Sequence, residues 1–293
     1  MIDAFYQQDS AGIFVPYIPV THRDEEYDPQ GFETLLQMQR GHFWYRGRHR
    51  FLLEAMRRAL GLSQNALRRH LTAVDLGGGC GGWIAYLHQK AMGVFDELAL
   101  ADSSRTALDL AGPVVPVGTP RYHVDLLNLH WRERWDVIFL LDVLEHMPQD
   151  ELVMSEIARA LKPGGVLFLT TPALEHFRTW NDEAVHHYRR YAREDLRQLA
   201  SKTGMDLLDA RYFMFFLSPF LLVSRLKRPP LATMSQSDIA KLLARTHRIP
   251  GPVVNRICGM VFAAETPLGF LVPFPWGTSI LGIYRKRYKA PEL

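Results

Sequence analysis

From Gly47 to Leu60 the run GRHRFLLEAMRRAL spaces Phe51, Leu52, Ala55, Met56, Ala59 and Leu60 at threes and fours, which predicts an amphipathic helix ending at Gly61. Beyond it the period changes. LTAVDLGGG is a short buried strand running into a glycine turn, and GGWIAYLHQKA a helix that opens at the turn. FDELALAD then predicts a strand ending in an acid, SSRTALDLA a helix, TPRYHVDL a strand and WDVIFLLDVLEH another. QDELVMSEIARALKPGG is a helix closed by Pro163 and two glycines, GVLFLTTP a strand, REDLRQLASKTGM a helix and MDLLDARYFMFF a strand. Such alternation predicts a doubly wound, mostly parallel sheet with right-handed crossovers and helices on both faces.

The ends of the chain break the alternation. Residues 1–46, with Pro16, Pro19 and Pro29 among polar positions, are expected to form an irregular arm or lid before a core of residues 47–217. Residues 218–275 bring SPFLLVSRLKRPP, SDIAKLLARTHR and a Pro/Gly-punctuated apolar stretch, expected to form a helical substrate cap; residues 276–293 carry the final strand, GTSILGIYRKR, and a tail.

Composition changes this picture little. With 47% apolar and 22% charged residues over 293 positions, one α/β domain plus a cap is affordable, and no repeat or low-complexity tract suggests another class. Cys80 and Cys258 have neither disulfide-framework nor zinc-site spacing, so no metal is expected and a reducing, cytoplasmic compartment is. The start MIDAFYQQDS lacks the basic and apolar regions of a secretory signal. Charge is uneven: from Ser201 onward 13 Lys and Arg face 5 Asp and Glu, a formal +8, against −5 for residues 1–200. An anionic acceptor, a nucleic acid, a membrane surface or a solvated face would each suit that excess.

The candidate chemistry gathers at the C-terminal ends of the strands, where open α/β sheets bind ligands. VDLGGGCGGW sets Asp75 two residues before three glycines, and Gly77, Gly79 and Gly82 satisfy GxGxxG, a match shared by nicotinamide-binding folds. Asp102 ends the second strand, with Ser103 beside it, where an acid can take both ribose hydroxyls of an adenosine or cap the next helix. Asp125-Leu126 follows the third strand and DVLEH, residues 142–146, the fourth.

VDLGGGCGG, ADSS, VDLLNL, LLDVLEHMPQ and LKPGGVLFLTTP, in that order and spacing over about residues 40–215, resemble the class I S-adenosylmethionine (SAM)-dependent methyltransferases, in particular the ubiquinone-biosynthesis-like small-molecule branch. The resemblance implies a Rossmann-like doubly wound, seven-stranded, mostly parallel sheet, SAM as cofactor and methyl transfer to a small-molecule or lipid-like acceptor, on oxygen before nitrogen or carbon. It implies further that Gly77 and Gly79 pass beneath the methionine moiety, Asp75 holds its amino group, Asp102 binds the ribose, Asp125 and Leu126 meet the adenine, and Leu141 offers a carbonyl near the methionine. In HFWYRGRHRF, which contains Tyr45, Arg48 is the first choice and Arg46 the second for the cofactor carboxylate. Cys80, where the family has a small or polar residue, reads as a packing cysteine.

Methyl transfer needs positioning and exclusion of water more than a covalent residue, and a hydroxyl acceptor must also lose a proton. Histidine suits that task near neutrality. The candidates are His146 and, in NDEAVHHYRRYARED, which the resemblance implies is a loop lining the acceptor pocket, His186 or His187 with Tyr188 and Arg189 nearby. The 12 residues YFMFFLSPFLLV before RLKR are too few to span a bilayer. They suit either a buried strand leading into a cap helix or peripheral contact with a membrane. An NAD(P)-dependent oxidoreductase is the competing class, but no SxxxYxxxK-type constellation appears; no NPPY tetrad or concentrated basic stripe suggests a nucleic-acid partner.

Overall fold

The computed structural model describes residues 5–20, 31–62, 70–224, 229–246 and 248–288; Pro29 and the RLKR run beyond Ser224 lie outside them. The chain runs through β1 (Tyr6–Gln8), β2 (Ile13–Pro16), α1 (Phe32–Gly41), α2 (Phe43–Ala59), β3 (Leu71–Leu76), α3 (Gly82–Lys90), β4 (Phe95–Asp102), α4 (Arg105–Ala111) and β5 (Arg121–His123). It continues through β6 (Trp135–Leu141), α5 (Asp150–Ala160), β7 (Leu161–Pro172), α6 (Trp180–Ala184), α7 (Arg193–Thr203), β8 (Met205–Phe213), α8 (Ser218–Ser224), α9 (Gln236–Thr246), α10 (Pro252–Leu271) and β9 (Ser279–Lys286).

All nine strands join one sheet, in the order β1-β2-β5-β4-β3-β6-β7-β9-β8. β2 through β7 pair in parallel, while β1, β9 and β8 run antiparallel to their neighbours. The mostly parallel, Rossmann-like architecture is as expected, but the sheet has nine strands instead of seven. Both extra strands come from the segment expected to be an irregular arm. There the Asp9 side chain accepts the N–H groups of Ala11 and Ile13, tying a turn that reverses the chain and buries Tyr6 and Ile13. The same segment carries α1, and α2 begins at Phe43, ahead of the predicted Gly47, because His42 Nδ1 accepts the Trp44 N–H and caps the helix.

The central strands alternate between two dry layers. Val74, Ile138, Leu140 and Leu169 pack toward α5 and α7, whereas Ala73, Val137, Phe139 and Phe168 pack toward α2 and α10. Coverage on both faces explains why these strands read as continuous apolar runs. Gly47 lets α2 approach α10, since a Cβ there would lie 1.9 Å from the Phe262 ring. Glu265, fully buried on α10, accepts the Phe216 N–H at 3.1 Å and fastens that helix to the end of β8.

Candidate functional site

The carboxyl ends of β3, β4 and β6 open on a cavity of about 600 Å³, closed above by α1, the start of α2, α6, α8 and the start of α10. Its floor is the glycine turn after β3. Gly77, Gly79 and Gly81 adopt left-handed backbone (φ +68°, +56° and +78°), and a Cβ on Gly78 would meet the Asp75 carboxylate at 2.4 Å. The turn is therefore side-chain-free where the cavity needs backbone surface.

Asp75 and Asp102 border this turn and differ in how they are satisfied. Asp102 Oδ2 accepts the Gly79 N–H at 2.9 Å and Oδ1 the Ser104 N–H at 2.8 Å, so the acid both braces the glycine turn and leads into α4. A carboxylate can accept more than one hydrogen bond on each oxygen, so a pair of ribose hydroxyls is chemically compatible with this acid. Asp75 is 1% exposed, and its Oδ1 has no hydrogen-bond partner. Burial pushes its carboxyl up to about 8; the charge of Arg48 opposes this and that of Asp102 adds to it. A buried carboxylate oxygen without a donor, at the rim of a cavity, fits a cationic ligand group.

Arg48 projects from α2 into the same cavity, under the rings of Trp44 and Tyr45 at 4.9 and 5.1 Å. Its guanidinium forms an ion pair with Asp142 and reaches the Leu141 carbonyl at 3.5 Å. Arg48 and Leu141, each expected to face the cofactor, thus also face one another. Asp142 holds a left-handed backbone (φ 58°), tolerated by aspartate, which turns the chain from β6 into a short 3-10 turn, Leu144–His146.

A second group lines the same cavity. His187 Nδ1 lies 2.9 Å from Asp182 Oδ1, and Asp182 is also gripped by Arg190. Burial alone would raise the Asp182 carboxyl, but the hydrogen bond with His187 and the Arg190 charge outweigh it and hold it well below the usual range. His187 Nε2 is 4.0 Å from Glu145, and its ring meets that of His146 edge-on at 4.8 Å. Burial, then the nearby His187 and His186, push the His146 imidazole down to about 3, so it is neutral. Burial and the Asp142 charge raise Glu145 well above the carboxylate range. Glu145, His146 and His187 bring one ligand atom each within 4.8 Å of one another, a set able to hold a cation where the sequence suggested none.

The structure thus gathers Tyr45, Arg48, Asp75, Gly77, Gly79, Asp102, Ser103, Leu126, Leu141, His146 and His187 around one cavity. It does not bring Asp125, His186 or Tyr188 to the wall. Asp125 turns its Oδ1 onto the Leu127 N–H at 2.9 Å, the turn-forming use open to any aspartate. His186 and Tyr188 are exposed, and Arg189 pairs with Asp150. Cys80 is fully buried, its thiol pushed up to about 12 by burial and the Asp102 charge, and it donates to the Phe32 carbonyl, as packing requires. Sequence reasoning gave no role to Asp142, Glu145, Asp182 or Arg190. The acids flanking the histidines were the available signal.

A methyltransferase-domain family model matches residues 39–210. Ubiquinone biosynthesis O-methyltransferase of Coxiella burnetii is 24% identical over 155 residues, 45% of this chain and 62% of that protein, so the match spans less than two thirds of the relative. The same enzyme of Brucella anthropi is 29% identical over 90 residues, 26% of this chain and 36% of its own. Among solved structures, phosphoethanolamine N-methyltransferase 2 of Haemonchus contortus in complex with S-adenosyl-L-methionine superposes with a TM-score of 0.55 at 16% identity, covering 89% of this chain and 58% of that one. A putative sarcosine dimethylglycine methyltransferase from Galdieria sulphuraria gives 0.50 at 19% identity, over 80% and 84%.

Proposed function

The chain belongs to the methyltransferase-domain family, and from that premise we propose that it transfers a methyl group from SAM to a hydroxyl of a small, lipid-like acceptor. The observation that carries this reading is the presence, around one cavity, of a side-chain-free turn with the unsatisfied Asp75 carboxyl and of a histidine–aspartate pair. Family membership sets the nicotinamide alternative aside. The relatives in ubiquinone biosynthesis are named as O-methyltransferases, which supports oxygen; transfer to nitrogen or carbon stays the alternative.

SAM supplies, when bound, a methyl group on a positively charged sulfur. In this reading Asp75 takes the amino group of the methionine moiety, Asp102 takes the ribose hydroxyls, and Ser103 and Leu126 border the base. Arg48, held by Asp142 at the cavity wall, meets the carboxylate. Asp182 fixes the His187 ring through Nδ1, which leaves Nε2 to accept the acceptor's proton. Glu145, held neutral by burial and by Asp142, and neutral His146 surround that point without adding charge. The helices between β8 and β9 act as the acceptor cap; Leu221, Leu222 and Val254 on them, with Met214 just after β8, exclude water and suit an acceptor with an apolar body. The setting is cytoplasmic, with the acceptor drawn from a membrane; among the described residues no helix is long and apolar enough to cross one. The test is incubation with SAM and membrane-lipid extracts, read by mass spectrometry. A product heavier by one methylene, formed together with S-adenosylhomocysteine, is expected; no turnover with any extract or purified acceptor would count against catalysis.

A further inference from the structure

Among the described residues, one face of α10 has no partner. Its inner side packs Cys258, Phe262 and Phe270 against the core, whereas Val253, Ile257, Met260, Leu268 and Leu271 recur at threes and fours on the outer side and are 45–73% exposed. Ala264 fills the remaining step of this stripe and is exposed too. The helix carries one acid, Glu265, which is fully buried. A helix of 20 residues is about 30 Å long, so the stripe is far longer than a chance exposed leucine would make it. Phe220 and Val223 of α8 and Trp276 beyond α10 add exposed apolar bulk.

Charge selects the occupant. Among the described residues from 214 to 278, Lys241, Arg245, Arg248 and Arg256 stand against Asp238 and Glu265, and Glu265 is buried. Arg256 stands on α10 itself, and Arg248 is both exposed and part of the cavity wall. A second copy of the chain would set this positive segment against itself, whereas an anionic surface would complement it. Phe220 and Val254 line the cavity while remaining 59% and 47% exposed, so the cavity reaches the surface among the same apolar residues. A protein seated there would close that approach; a lipid surface would feed it.

We propose that the outer face of α10, with Phe220, Val223 and Trp276, lies in the headgroup–acyl boundary of an anionic membrane and holds the mouth of the acceptor cavity against the bilayer. The helix lies in the plane of the interface and does not span it, because its inner face is committed to the core and it is interrupted by Arg256 and Pro267. The inference rests on the lipid-like acceptor reading above, but its test does not require turnover.

The full chain is mixed with vesicles of phosphatidylcholine alone or of phosphatidylcholine with phosphatidylglycerol and floated on a density gradient, at low and high salt. Binding to the anionic vesicles, weakened by salt and at least tenfold by the double substitution I257D/L268D, is expected. Neither residue lines the cavity, so calorimetric titration of the variant with S-adenosylhomocysteine, with affinity unchanged, shows that it is folded. Titration with S-adenosylhomocysteine failing in the wild type would strike the methyltransferase reading; titration succeeding while vesicles are ignored would strike the docking alone. A wild-type dimer in light scattering that the double substitution turns into monomers would assign the face to a second copy and overturn the proposal, as would vesicle binding that the substitution leaves intact.

Discussion

Binding of the cofactor should expel a proton from Asp75. Burial pushes this carboxyl up to about 8, so the ligand-free protein at pH 7 holds it about nine-tenths protonated. A cationic amino group on the unpartnered Oδ1 favours the ionised form, and roughly 0.9 proton should leave Asp75 per cofactor bound at pH 7. Removing that proton at pH 7 costs about 1.4 kcal/mol of binding energy, so affinity should rise close to tenfold per unit up to about pH 7 and fall again above about pH 8, where the cofactor's own amino group loses its proton. Calorimetric titration with SAM in two buffers of different ionisation enthalpy measures the release directly. Asp75→Asn should abolish it. The same shift sets a sign for stability: because the folded protein keeps the proton above the unfolded value of 3.8, this group's contribution is fully present below about pH 4 and is lost as pH rises toward 8. Binding at pH 7 without proton exchange, or with affinity flat from pH 6 to 8, would refute the assignment of Asp75 to the amino group.

His187→Ala should lower turnover by about 10²–10⁴ while SAM affinity stays within about twofold, since the residue meets the acceptor and not the cofactor. Chelator-sensitive turnover restored by one divalent cation would instead assign His187 to a metal. Gly47→Ala should destabilise the protein by about 1–3 kcal/mol, because the added methyl meets the fully buried Phe262 and the gain of about 1 kcal/mol in helix propensity does not offset it. Thermal unfolding reads this as a fall of several degrees, and an unchanged midpoint would show that α2 and α10 can part at little cost.

The central fold was legible because its strands are buried on both faces and its helices are amphipathic, so both periods are written in the residues from Leu71 to Phe213. The N-terminal strands were not. Tyr6–Gln8 and Ile13–Pro16 are three and four residues long, too short for a period, and Pro16 ends the second as it would end a loop. Their place is set by long-range pairing with Arg121 and Tyr122, which no local pattern reveals. Among the candidate site residues, the glycines of the turn stand out in the sequence, since backbone conformation restricts the residue types there. Asp125 is harder to read, because an aspartate that closes a turn and one that binds a base look alike in sequence. His186 and His187 are adjacent, and only the left-handed backbone of His186 (φ 59°) turns one out to solvent while its neighbour meets Asp182. The Arg48–Asp142 and His187–Asp182 pairs join segments distant in the chain or hidden in a loop, so they appear only once the sheet is formed.

The most direct test of the account is a crystal structure of the protein with S-adenosylhomocysteine. The account predicts the ligand in the crevice after β3 and β4, with both ribose hydroxyls on Asp102, the amino group on Asp75 and the sulfur facing the chamber lined by His187. Ligand bound elsewhere, or a crevice that stays empty at saturating concentration, would contradict it.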